Sequence, residues 1–90
     1  MATSLNWTKQ GSRYVSDSFD MTSDSAGLQV VTKEESDVLV EISLDGNVWR
    51  VVAFNYRGVK EVVDVISGGK AGLKVRIVTT AEPQTIQILQ

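Results

Sequence analysis

The sequence predicts an all-β domain, a small antiparallel β-sandwich or jelly roll of about seven strands. Apolar and polar residues alternate along most of the chain, and this is the side-chain period of a β-strand. The alternating segments are rich in Val, Ile and Thr, which favour strands. Turn-forming residues separate these segments at intervals of about ten residues, as is typical of sandwiches and barrels.

The clearest element is a hairpin formed by residues 37–44 and 48–54. Val38, Val40, Ile42 and Leu44 fall on one face of the first segment. Asp45-Gly46 follows, and an Asp-Gly pair between two strand-like segments is typical of a two-residue type I′ turn, in which both central residues have positive φ. We therefore expect the two segments to pair in antiparallel orientation.

Further strands are predicted on both sides of this hairpin. Residues 59–66 are compatible with either a strand or a short helix, and their β-branched residues favour the strand. A turn at 67–70 closes this segment. The remaining predicted strands lie at residues 13–21, which form one or two short strands, and at residues 28–32, 72–79 and 85–89.

The chain divides into an N-terminal arm, residues 1–10, and a single β domain, residues 11–90. Ninety residues are enough for one domain. The arm contains two isolated apolar residues, Leu5 and Trp7, among polar neighbours. We expect these two side chains to contact a partner, while packing of Trp7 against its own core is the alternative. Deletion of the arm is then expected to leave the isolated fold intact.

A core of β-branched residues is predicted for the domain. Its members, chosen from the alternation, are Val40, Ile42, Val51, Val63, Val75, Ile77 and Ile88. A chain of this size buries only about 60–65% of its unfolded surface. The sequence contains no cysteine, so disulfide bonds are excluded and oligomerisation is the expected supplement to a small core.

The composition argues against several classes of function. His and Cys are both absent, which removes the commonest general base and the thiol nucleophile, so we expect a non-enzymatic protein without a cofactor. The net charge is −2, whereas binding to a phosphate backbone needs an excess of basic residues. No apolar run reaches the length of about 18 residues expected of a membrane span, and the start lacks the features of a signal peptide. Neither a nucleic acid nor a membrane is therefore expected as a partner.

Three acidic residues form the candidate metal site. Asp17, Asp20 and Asp24 are separated by three and four positions, and carboxylate oxygens at such spacings converge on Ca²⁺ in some loops. The pattern of an EF-hand loop is absent. A solvated acidic loop without a metal is the preferred interpretation.

Aromatic and polar residues near the hairpin form a candidate carbohydrate site. Exposed Trp and Tyr rings stack on sugars or anchor protein interfaces. Trp49 follows the Asp-Gly turn, and Asn55, Tyr56 and Arg57 lie a few residues further on. The alternative is that Trp49 is buried in the core.

Part of the chain resembles the discoidin-like, galactose-binding jelly rolls. The segment VLVEISLDGNVWRVV is similar to their strand–turn–strand signature, and Val75-Arg76-Ile77 is similar to their closing strand. The likeness covers residues 38–78. Members of that family are usually half as long again, and the N-terminal loops that form their ligand pocket have no counterpart here. The resemblance implies a jelly roll and, as an alternative function, carbohydrate binding.

The whole chain resembles small all-β proteins of tailed-phage virions, such as head auxiliary, decoration and fibre proteins. The shared features are a short chain without His or Cys, a start without a signal peptide, an N-terminal arm rich in Ser and Thr, and a final strand, TIQILQ. The resemblance implies a homo-oligomer that is assembled in the host cytoplasm and docks on a capsid or another virion protein. The predicted function is accordingly a structural module that acts through protein–protein contacts.

Overall fold

A computed structural model describes residues 2–90, apart from the side chains of Ala53 and Phe54. The all-β class is confirmed, since no helix forms among these residues. The strands are β1 (Ala2–Ser4), β2 (Trp7–Gln10), β3 (Arg13–Ser16), β4 (Phe19–Asp20), β5 (Ser25–Ser43), β6 (Arg50–Ser67), β7 (Lys74–Thr79) and β8 (Pro83–Leu89). Residues 59–66, for which strand and helix were both open, lie within β6.

The eight strands form one curled antiparallel sheet. Strand β5 organises it, because β6 pairs with one edge of β5 while β8 and β7 pair with successive parts of the other edge. The order across the sheet is β1-β8-β5-β7-β3-β2, with β6 beside β5 and β4 beside β7. The sandwich or jelly-roll arrangement is not confirmed, because hydrogen bonds through β5 join both halves in a single sheet.

The strands predicted at residues 28–32 and 37–44 are parts of one strand, β5, which bends between them. The pairing of β5 with β6 shifts between Val31 and Ser36. At this point the Thr32 hydroxyl donates to the Glu34 carbonyl at 2.6 Å, and the Ser36 hydroxyl accepts from the amides of Thr80 and Ala81, each at 3.0 Å. These side-chain bonds pair backbone groups that the irregular ladder leaves free. The chain therefore bends without ending the strand.

The predicted hairpin forms, but its turn is wider than expected. Ile42 pairs with Arg50, so residues 44–49 form the connection. Gly46 has a φ of 84°, whereas Asp45 is not among the residues with positive φ. The Asp45 carboxylate instead accepts from the amides of Asn47 and Val48 at 2.8 and 3.0 Å. The type I′ prediction is wrong, because this carboxylate stabilises a longer loop.

The concave side of the sheet holds the core. Val40, Val75, Ile77 and Ile88 are buried there as predicted, and Ile42 is partly buried. Val51 and Val63 are 48% and 71% exposed, so their assignment to the core is wrong. Strand alternation places Val62 and Ile66 of β6 inside. Val63 therefore points outward.

The N-terminal segment belongs to the sheet and is not a separate arm. Strand β1 pairs with β8, and β2 pairs with β3. Leu5, between them, is 9% exposed and lies in the core, and its amide donates to the Ile86 carbonyl at 2.8 Å. Trp7 packs against the same core. The predicted role of Leu5 at an interface is wrong, because a side chain buried in its own core cannot reach a partner.

Candidate functional site

The three candidate carboxylates are not grouped as a metal site requires. The Asp20 carboxylate is held by the Lys74 ammonium at 3.0 Å. Asp17 and Asp24 are exposed. In the described part of the chain, no group of three or more acidic side chains is arranged to hold a metal ion. These acids therefore lie on a solvated surface.

Trp49 is held in a cluster on the sheet. Its indole Nε1 donates to the Gly46 carbonyl at 3.2 Å. The Arg76 guanidinium lies 4.3 Å from the centroid of its ring, within the range of a cation–π contact. Arg76 also donates from Nε to the buried Glu41 carboxylate at 2.7 Å. The ring is thus half-buried and one of its faces is covered by Arg76.

Tyr56 links the two parts of β6. Its hydroxyl donates to the Asp64 carboxylate. Burial of the ring, together with this hydrogen bond, raises the pKa of Tyr56 to about 12. The same bond, with one from the Val65 amide, lowers the pKa of Asp64. Between the two residues, Gly58 has a φ of 62°, and the link spans the irregularity of the strand at that glycine.

The four candidate sugar-binding residues have different partners. Arg57 lies beside the Asp37 carboxylate at 3.7 Å, and Asn55 is exposed. Trp49 is stacked with Arg76, whereas Tyr56 is bonded to Asp64. These contacts do not assemble a shared platform for a sugar ring.

Strand β6 has an open edge, and this is the main feature that the sequence interpretation missed. Strand β6 runs from Arg50 to Ser67 and, among the described residues, pairs with β5 alone. No described strand pairs with the backbone N–H and C=O groups of its other edge. A long open edge is a template for pairing with another chain, and charges on it disfavour pairing with any strand that does not complement them. Strand β6 carries exposed charges at Lys60, Glu61 and Asp64.

An apolar outer face adjoins this edge. Val63, Val65 and Leu89 are 71%, 57% and 52% exposed. Val65 and Leu89 are the cross-strand neighbours of Gly27 from opposite sides. Gly27 has no side chain to cover them, and a Cβ built there would lie 3.3 Å from the Leu89 Cβ. We name the open edge of residues 59–67, with Val63, Val65 and Leu89, the β6 edge surface.

The sequence does contain a signal for this surface. Val62-Val63 and Val65-Ile66 place β-branched residues on both faces of one strand. A strand that is apolar on both faces is typical of one that is covered on both sides. Among the residues that the structure describes, the face with Val62 and Ile66 is covered, whereas Val63 and Val65 are exposed.

A separate apolar feature, a hollow, lies at the tip of the β5–β6 hairpin. It has a volume of about 450 Å³ and is lined mainly by Ile42, Leu44, Val48 and Leu73. Leu44 is 86% exposed, although the alternation places it on one face with Val38 and Val40, because it lies beyond the last residue of β5.

Comparison with known protein families, with curated proteins and with solved structures found no match to the chain. The phage and discoidin resemblances therefore rest on the sequence features described above. Within residues 2–90 there is no helix of the length and apolar character needed to cross a membrane.

Proposed function

We propose that this chain is a non-enzymatic structural module that acts through protein–protein contacts. The observation that carries the proposal is the β6 edge surface, where an open strand edge and exposed valines occur together. The resemblance to small phage proteins supports a place in the virion, as a capsid auxiliary or decoration-type protein that is assembled in the host cytoplasm.

The physical basis is β-strand addition. A strand that pairs with an open sheet edge gains backbone hydrogen bonds, and its side chains gain contacts with those of the edge strand. Val63 and Val65 stand beside the open edge. Their burial by an added strand contributes about 25 cal/mol for each Å² removed from water.

The carbohydrate alternative has less support. A stacking site needs an accessible ring face next to polar groups. Arg76 occupies one face of Trp49, and the Tyr56 hydroxyl is engaged by Asp64. The open edge of β6, by contrast, consists of backbone groups that a protein strand can pair.

A photo-crosslinking amino acid at position 63 tests the proposed function. The side chain of Val63 is 71% exposed, so a larger group fits without changing the core. In cells that make the chain with its natural partners, we expect discrete protein adducts at this position. Ser12, exposed in the turn between β2 and β3, is the matched control position and is expected to give none.

The two positions together make the test decisive. Adducts at position 63 that mass spectrometry assigns to one protein, whether this chain or another, support an assembly role. Equal and unspecific labelling at positions 63 and 12, or no protein adduct at position 63, contradicts it.

A further inference from the structure

We infer that the strand completing this edge is β6 of a second copy, paired antiparallel about a two-fold axis at Val62. The inference rests on the proposed function and names its partner. Three features of β6 support it: a regular stretch at its C-terminal part, the order of its charges, and the register that this order selects.

The regular stretch comprises residues 59–67. Residues 61–67 pair with β5 residues 25–31 without a shift. The next irregularity in the pairing belongs to β5. Four residues of β5, 32–35, lie between the paired Val31 and Ser36, whereas a single residue of β6 lies between their partners, Glu61 and Val59. Strand β6 itself departs from a regular course at Gly58, where φ is 62°. The stretch after Gly58 is therefore extended enough to accept a further strand.

The order of charges along β6 is self-complementary. Its basic residues, Arg50, Arg57 and Lys60, all precede its acidic residues, Glu61 and Asp64. All five are exposed. An antiparallel copy brings the basic part of one strand to the acidic part of the other, whereas a parallel copy brings like charges together. Opposite charges across a strand pair are favourable, and like charges directly opposite are destabilising.

Within the regular stretch of residues 59–67, the charges also select a register. Directly opposite residues in an antiparallel pair point to the same face. A two-fold axis between identical strands therefore passes midway between the two copies of one residue, and that residue names the axis. An axis at Val62 places Lys60 opposite Asp64 of the second copy, twice. An axis at Val63 places Lys60 opposite Ile66 and Glu61 opposite Val65, so no opposite charges meet. The axis at Val62 leaves Glu61 opposite Val63 but forms both Lys60–Asp64 pairs. An axis at Lys60, Glu61 or Asp64 places a charged residue opposite itself.

Both charged groups are available for this pairing. Lys60 forms no ion pair with any described residue. Asp64 is held in place by the Tyr56 hydroxyl and by its bond from the Val65 amide at 2.7 Å. The carboxylate is thus fixed in position and still exposed to an approaching cation.

Sedimentation velocity of the full chain and two charge-reversal variants tests the inference. The unmodified chain is expected to form a dimer at about 100 µM. Lys60→Glu alone and Asp64→Lys alone each replace two attractive pairs by two repulsive ones, and each is expected to raise the Kd of the dimer at least about tenfold. An equimolar mixture of the two variants restores both attractive pairs in a heterodimer and is expected to sediment as a dimer.

Circular dichroism of each variant alone shows that it is folded, and Lys70→Glu is the control. Lys70 is exposed in the loop before β7, and its reversal changes the net charge equally without changing the Kd. A dimer that is insensitive to both reversals, or a mixture that stays monomeric, overturns the inference. A monomer at about 100 µM whose position 63 crosslinks to a different protein overturns self-pairing but leaves the proposed function standing.

Discussion

Deletion of residues 1–10 should unfold the domain or leave it only marginally stable. The deletion removes β1 and β2, which pair with β8 and β3, and it removes Leu5 from the core. Loss of a buried leucine side chain alone costs about 2–5 kcal/mol, while a small domain has about 5–15 kcal/mol in total. Urea unfolding followed by circular dichroism measures the loss.

Two substitutions in residues 1–10 show how much of the lost stability comes from the buried Leu5 side chain. Leu5→Ala is expected to lower the free energy of unfolding by about 2–4 kcal/mol. Alanine at Thr8, whose side chain is exposed on β2, is expected to change it by less than about 0.5 kcal/mol. If the shortened chain has the same urea midpoint as the full chain, the segment is the separate arm that the sequence predicts, and the integration of β1 and β2 is contradicted.

Truncation of Ile77 to alanine is expected to lower the free energy of unfolding by about 2–5 kcal/mol. Ile77 lies on β7 opposite Val40 and is fully buried. Its removal leaves a cavity at the centre of the sheet, and neighbouring residues fill such a cavity only in part. The shift in urea midpoint at an unchanged slope is the measurement.

Val63→Ala is the matched control for Ile77→Ala. Both residues are predicted to lie in the core from their position in alternating segments, but Val63 is 71% exposed. Its truncation is expected to change the stability of the monomer by less than about 0.5 kcal/mol. Similar losses for the two variants would contradict the assignment of inner and outer faces in this structure.

Local patterns were sufficient to predict most of the strands and the hairpin. The alternation of apolar and polar residues at Val38, Val40 and Ile42 identifies the second half of β5. The same alternation from Leu73 to Thr79 identifies β7. The continuity of β5 was not predictable, because it involves bonds that the Ser36 hydroxyl accepts from the amides of Thr80 and Ala81. Those partners are distant in sequence and no local pattern reports them.

The exposure of the β6 edge surface could not be predicted from local sequence patterns, for a related reason. Val62 and Val63 are identical in chemistry, and only the register with β5, where Val30 faces Val62, decides which one is inside. The surroundings of Trp49 likewise depend on Arg76, on a different strand. The residues of the β6 edge surface are visible in the sequence, whereas their exposure follows from the pairing of the whole sheet.

Amide hydrogen exchange along β6 tests the pairing with a second copy most directly. In an edge strand every second N–H points away from the neighbouring strand. We predict that the outward amides of residues 59–67 exchange slowly at about 100 µM and quickly after dilution, while the amides bonded to β5 stay protected at both concentrations. Fast exchange of the outward amides at every concentration would contradict the claim that this edge is closed by another β6.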